Sequence, residues 1–228
     1  MKRKKLVNYV KNRNKKLFEH KVGNFDIFIK DPLPDNIDIK NVFSEVQLLI
    51  PEHILELIDT VYIGDFDYFK ERKINAMYMD GALYITNIQD GPQDMKDDIV
   101  HELAHAVEEK YNDFLYADDE IKDEYFGKLK KLKNYLAYEG YDIRNIDFFN
   151  TKYNHEFDKF LMSGVGYNKL SGLINGLFLD PYSCTSLREY FSTCFEKYFI
   201  DNNHDLLKSM CPYVYKKIYV LADQHLED

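Results

Sequence analysis

The chain has 228 residues, enough to bury a core as one large domain or two small ones. Hydrophobic residues at 45%, with only 10 Gly and 6 Pro, exclude collagen-like, linker-like and low-complexity classes, and 19 Tyr with 16 Phe argue against disorder. The net charge of −9 argues against a dedicated nucleic-acid binder.

The charge is uneven. Residues 1–16 hold eight Lys or Arg and no acid, which leaves the other 212 residues with 22 basic and 39 acidic groups, a net of −17. Residues 1–20 therefore read as a basic arm, a solvated or loosely docked helix suited to an acidic surface. No apolar run follows the charges, because Asn8, Lys11 and Asn12 interrupt Leu6, Val7, Tyr9 and Val10. A signal peptide is not expected, which points to the cytoplasm or to release by a non-classical route such as lysis or carriage in a particle. No stretch approaches 18 apolar residues, so no transmembrane helix is expected.

Residues 21–228 read as a single domain. Asn24–Lys30 alternates apolar and polar and predicts a strand, ended by Pro32 and Pro34. Residues 41–59 read as helical, with Pro51 restarting a helix at its first turn. Thr60–Gly64 predicts a strand, and Asn75–Thr86 a hairpin turning at Asp80-Gly81, a dipeptide that tolerates positive φ. Pro92 then opens a helix to about Tyr111, with Asp94, Asp97 and Asp98 near its positive end.

Residues 118–140 read as a densely charged helix, and 141–162 follow neither period. Four of the ten glycines fall in Gly164–Gly176, which predicts a turn-rich connection. Helices are expected at about Thr185–Asp201 and from Pro212 onward. The cysteines, Cys184, Cys194 and Cys211, are odd in number and lack CxxC spacing, so they read as small buried hydrophobes.

His101-Glu102-Leu103-Ala104-His105 carries the chemistry. Histidines at i and i+4 leave one helix face a turn apart and suit a single Zn²⁺. Glu102, on the same turn, suits a base that takes a proton from water during attack on a peptide carbonyl. The preceding strand, Ala82–Thr86, is expected to be an edge that binds an extended peptide substrate by main-chain pairing. A third protein ligand is required. Glu108 and Tyr111 stand where the longer HExxHxxGxxH pattern has Gly and His, so a downstream glutamate is the candidate, either Glu156 or Glu189. Asp98, Glu108 and Glu109 are candidates for orienting the histidines.

Val100–Val107 (VHELAHAV), Tyr182, and Glu189-Tyr190-Phe191 with Phe195 together resemble the catalytic domain of anthrax lethal factor and its relatives, among them secreted clostridial endopeptidases that cleave between prolines. The resemblance covers roughly 24–112 and 178–224. It implies a zincin-like α+β fold, with a small mixed sheet, an edge strand over the HExxH helix and a mostly helical C-terminal half. It also implies that Glu189 is the third zinc ligand and that Tyr182, seven residues earlier, points at the site. Ala104 departs from the Gly common in the family, and Ser192-Thr193-Cys194 replaces a segment that usually contains Ala-Glu-Ala. Residues 113–178 look like an insertion. The expected function is a zinc-dependent metalloendopeptidase. The alternatives are a catalytically silent zinc-binding interaction module and an adaptor working through the basic arm.

Overall fold

The computed structural model describes residues 18–223 apart from Lys73, so the basic stretch 1–16 lies outside the described residues. The structure is mixed α and β. A sheet of five short strands runs in the order β1-β2-β3-β5-β4, with β1 Phe18–Val22, β2 Phe25–Ile29, β3 Thr60–Ile63, β4 Ala76–Met79 and β5 Ala82–Ile85. β2, β3 and β5 are parallel, and each outer strand is antiparallel to its neighbour. β1 begins at Phe18, so residues 18–20, expected in the arm, belong to the sheet.

Alternation sorts the side chains. Phe25 and Ile27 of β2, Val61 and Ile63 of β3, and Leu83 and Ile85 of β5 are buried on one face. Phe28, Tyr62 and Tyr84 stack in a row across the other, with ring centroids 5.5 and 5.2 Å apart. There α3 (Asp67–Arg72) covers them with Phe69, beside Phe66. The first face packs on α1 (Ile39–Leu49), α2 (Glu52–Leu55) and α4 (Pro92–Lys110).

The strand order corrects one expectation. Ala82–Ile85 is not an edge: it pairs with β3 on one side and β4 on the other. Leu83, Tyr84 and Ile85 are buried on both faces, as an interior strand requires, whereas β4 buries only Ala76. The free edge beside α4 is therefore β4.

The remaining chain is helical: α5 (Asn112–Tyr116), α6 (Glu120–Tyr138), α7 (His155–Lys159), α8 (Tyr167–Leu173), α9 (Leu187–Ile200), α10 (His204–Met210) and α11 (Pro212–Ala222). The glycine-rich stretch is not a turn-rich connection. Phe160–Gly166 forms a π-helical turn that continues into α8. Leu161, Val165, Leu170 and Ile174 are buried at intervals of four, five and four, and the step of five crosses Gly166, whose φ is +86° at the junction with α8. These residues, with Phe148 and Phe157, join the cluster formed by the sheet, α4, α6, α9 and α11. Among the described residues no helix is long and apolar enough to cross a membrane.

Candidate metal centre

Helix α4 starts where β5 leaves the sheet. Gly91 caps it and Pro92 occupies its first turn. Met95, Ile99, Val100, Leu103, Ala106 and Val107 anchor it in the core, which leaves His101 and His105 on the adjoining face. Their rings meet edge to face at 5.2 Å. Ala104 is fully buried, so the position that is Gly in the resembled family packs here with a methyl group.

Helix α9 lies along α4, anchored by Phe191, Cys194 and Phe195. Ser186 Oγ accepts from Glu189 N at 3.1 Å and caps its first turn. In a capping box Glu189 would fold back on Ser186. Instead its Oε2 lies 3.0 Å from His101 Nε2 and its Oε1 3.8 Å from His105 Nε2. One ligand atom from each of His101, His105 and Glu189 lies within 4.8 Å of the others. Tetrahedral coordination with bonds of about 2.0–2.2 Å needs ligand atoms roughly 3.3–3.6 Å apart, so this all-N/O set could hold a metal ion once its side chains draw together by about 1 Å. Glu156 is exposed on α7 and outside the cluster.

The same face of α9 also orients the histidines. Glu196 Oε2 is 3.2 Å from His101 Nδ1. Ser192 Oγ is 3.0 Å from His105 Nδ1 and donates its own hydrogen to Arg188 O at 2.9 Å. Arg188 Nε also donates to His105 Nδ1, at 2.8 Å. Residues 189, 192 and 196 follow a three-then-four spacing on one face. The expected orienting acids fare differently: Asp98 bonds Gln89, Glu109 is exposed, and Glu108 lies 3.7 Å from His105 Nδ1 while taking the Tyr116 hydroxyl at 2.5 Å.

Glu102 is buried, and its Oε2 accepts from Tyr78 N at 2.5 Å. Thr86 N donates to Asn75 O, which sets the phase of the β4–β5 ladder so that the Tyr78 N–H points to the free edge. The base candidate thus sits where the edge strand offers its main chain. Tyr182 stands on a single 3₁₀ turn (Tyr182–Cys184), its ring 6.4 Å from that of His101, and is 39% exposed.

Charge follows burial and contact. Burial opposes a charged His101, yet Glu189 and Glu196 outweigh it and raise its pKa to about 10. Burial drives His105 down to about 3 and lifts Glu102 to about 7, the latter against the opposing charge of His101. Glu189 is held below the ordinary range: burial opposes this, but the two histidines prevail. Burial pushes the Tyr182 hydroxyl well above its usual value, so it is a donor at neutral pH. A protonated His101, a neutral His105, an ionised Glu189 and a Glu102 that titrates near 7 therefore meet beside the β4 edge, with the Tyr182 ring 6.4 Å from that of His101.

Comparison of the chain with family models, with curated proteins and with solved structures finds no match.

Proposed function

We propose that the chain is a zinc-dependent metalloendopeptidase with a zincin-like arrangement of edge strand and HExxH helix. The observation that carries this is the convergence of His101, His105 and Glu189 beside Glu102, with Glu102 hydrogen-bonded to the edge strand. A zinc ion held by those three residues would supply Lewis acidity toward a water and the scissile carbonyl. Glu102 takes the proton of the attacking water and delivers it to the amine nitrogen as the C–N bond breaks. Burial raises the Glu102 carboxyl in the metal-free protein, which favours its holding a proton between the two halves of that transfer. Tyr182 donates a hydrogen bond to the oxyanion that forms on the carbonyl carbon's oxygen. β4 aligns the peptide through its outward main-chain groups. With a metal bound, Glu196 and Ser192 would accept the Nδ1 hydrogens of His101 and His105, once His101 has given up its Nε2 proton and Arg188 Nε has left His105 Nδ1.

The test is zinc content and cleavage of a peptide library by four proteins. Glu102→Gln keeps zinc and loses roughly 10²–10⁴ in rate. Glu189→Ala loses zinc, while Glu156→Ala keeps both zinc and activity. A Glu102→Gln protein cleaving at the wild-type rate would rule out the mechanism. Zinc bound by wild type without any turnover would favour a silent interaction module.

A further inference from the structure

Arg188 precedes the third ligand on α9 and reaches back over α4. Its Nε lies 2.8 Å from His105 Nδ1 and 3.3 Å from Glu108 Oε2. Among the described residues its terminal Nη atoms have no hydrogen-bond partner, and the side chain is 50% exposed. Its charge is felt by Glu102 and by the Tyr78 hydroxyl, the base candidate and the edge strand. The guanidinium thus stands between α9 and α4, beside His105 and Glu108.

The contact with His105 does not survive metal binding. A histidine that offers Nε2 to a metal keeps its proton on Nδ1, where it donates and cannot accept. Ser192 Oγ receives that hydrogen bond, and Arg188 is left with Glu108. Glu108 already holds the Tyr116 hydroxyl, and Arg188 meets it through Nε alone. The outer edge of a planar fork, matched to a carboxylate, is then left half exposed beside His105.

We propose that Arg188 is a specificity-determining residue that selects peptides with an acidic side chain next to the scissile bond, on the side lying over His105. This deepens the peptidase reading and rests on its metal centre and cleft. Neutralising Glu108 would need only Nε. A half-exposed pair of Nη atoms beside the reacting groups instead offers substrate a charge-assisted contact.

The test uses the zinc-loaded full chain and three uncleavable dipeptide hydroxamates that differ only in a Glu, Gln or Lys side chain, with affinities measured by calorimetry. Wild type should bind the Glu probe about tenfold more tightly than the other two. Arg188→Gln should level Glu with Gln, and Arg188→Glu should invert the order in favour of Lys. A residue acting only in packing would weaken all three probes equally. Equal affinities in wild type, no binding at all, or a Glu preference retained in Arg188→Gln would overturn the proposal. Library cleavage alongside equal probe affinities would sink Arg188 and spare the peptidase. An Arg188-dependent Glu preference without cleavage would do the reverse.

Discussion

Asp98 lies three residues before His101, yet its carboxylate accepts from Gln89 Nε2 at 3.0 Å rather than turning to the histidine. Burial raises its pKa to about 6, against the single bond from Gln89. An acid whose folded pKa exceeds its unfolded value near 4 binds more protons folded than unfolded across that interval, so stability falls as pH rises from about 4 through 6. Asp98→Asn keeps an acceptor and removes the charge. In metal-free protein it should stabilise by roughly 1–3 kcal/mol at pH 8 and by almost nothing at pH 4, as read from urea unfolding at both. An equal gain at the two pH values would point to packing instead. Asp98 also marks the limit of residue-level inference. The i, i+4 spacing of His101 and His105 was readable because helix geometry alone sets it. The orienting groups were sought among acids near in sequence, but Ser192 and Glu196 come from another helix. Their spacing from Glu189 becomes informative only once Glu189 is taken as facing the metal.

The β4–β5 hairpin shows the same boundary one level up. Its turn was legible: Asp80 and Gly81 take φ of +52° and +78°, and a Cβ at Gly81 would come within 2.9 Å of Asp59 Oδ2. Strand order was not, because alternation reports which face is buried and not which strand lies alongside. β1 was hidden for a related reason, since Glu19, His20 and Lys21 continue the polar character of the arm before it. With β4 as the edge, the outward Tyr78 N–H holds the Glu102 carboxylate against the strand. Tyr78→Pro removes that N–H at a position where an edge strand tolerates proline. We expect it to fold, lose about 1 kcal/mol of stability and lose at least about tenfold in kcat/KM. Tyr78→Phe keeps the N–H and should cleave within about threefold of wild type. Peptidase assays and thermal melts on both variants check this, and full activity in Tyr78→Pro would show that the proposed base does not need the Tyr78 N–H to hold it.

The residues proposed to hold the metal lie far apart in the chain, so their meeting depends on what holds α9 against α4. Part of that support comes from the stretch read as an insertion. The Tyr190 hydroxyl, next to Glu189, donates to Glu124 Oε1 of α6 at 2.6 Å, and Glu124 Oε2 takes Tyr213 N at 3.1 Å. Lys128 Nζ donates to Leu177 O at 2.6 Å and to Met210 O, and lies 5.4 Å from the Tyr190 ring centroid. A helix as charged as α6 reads from composition as solvated. Lys128 nevertheless shares the inward stripe of Ile121, Tyr125 and Leu132, at spacings of four, three and four, and only 9% of it is exposed. Burial pulls its pKa down, partly offset by Glu124. Lys128→Met fills similar volume but strands two buried carbonyls and removes the cation from the Tyr190 face. The expected loss is about 2–4 kcal/mol of stability in metal-free protein. Because Tyr190 adjoins the third ligand, zinc affinity should also fall several-fold, and zinc should restore less stability than it gives wild type. Urea unfolding with and without zinc separates the two effects. A lower midpoint with unchanged zinc affinity would make α6 a general support, whereas a loss of both ties the 113–178 segment to the geometry of Glu189.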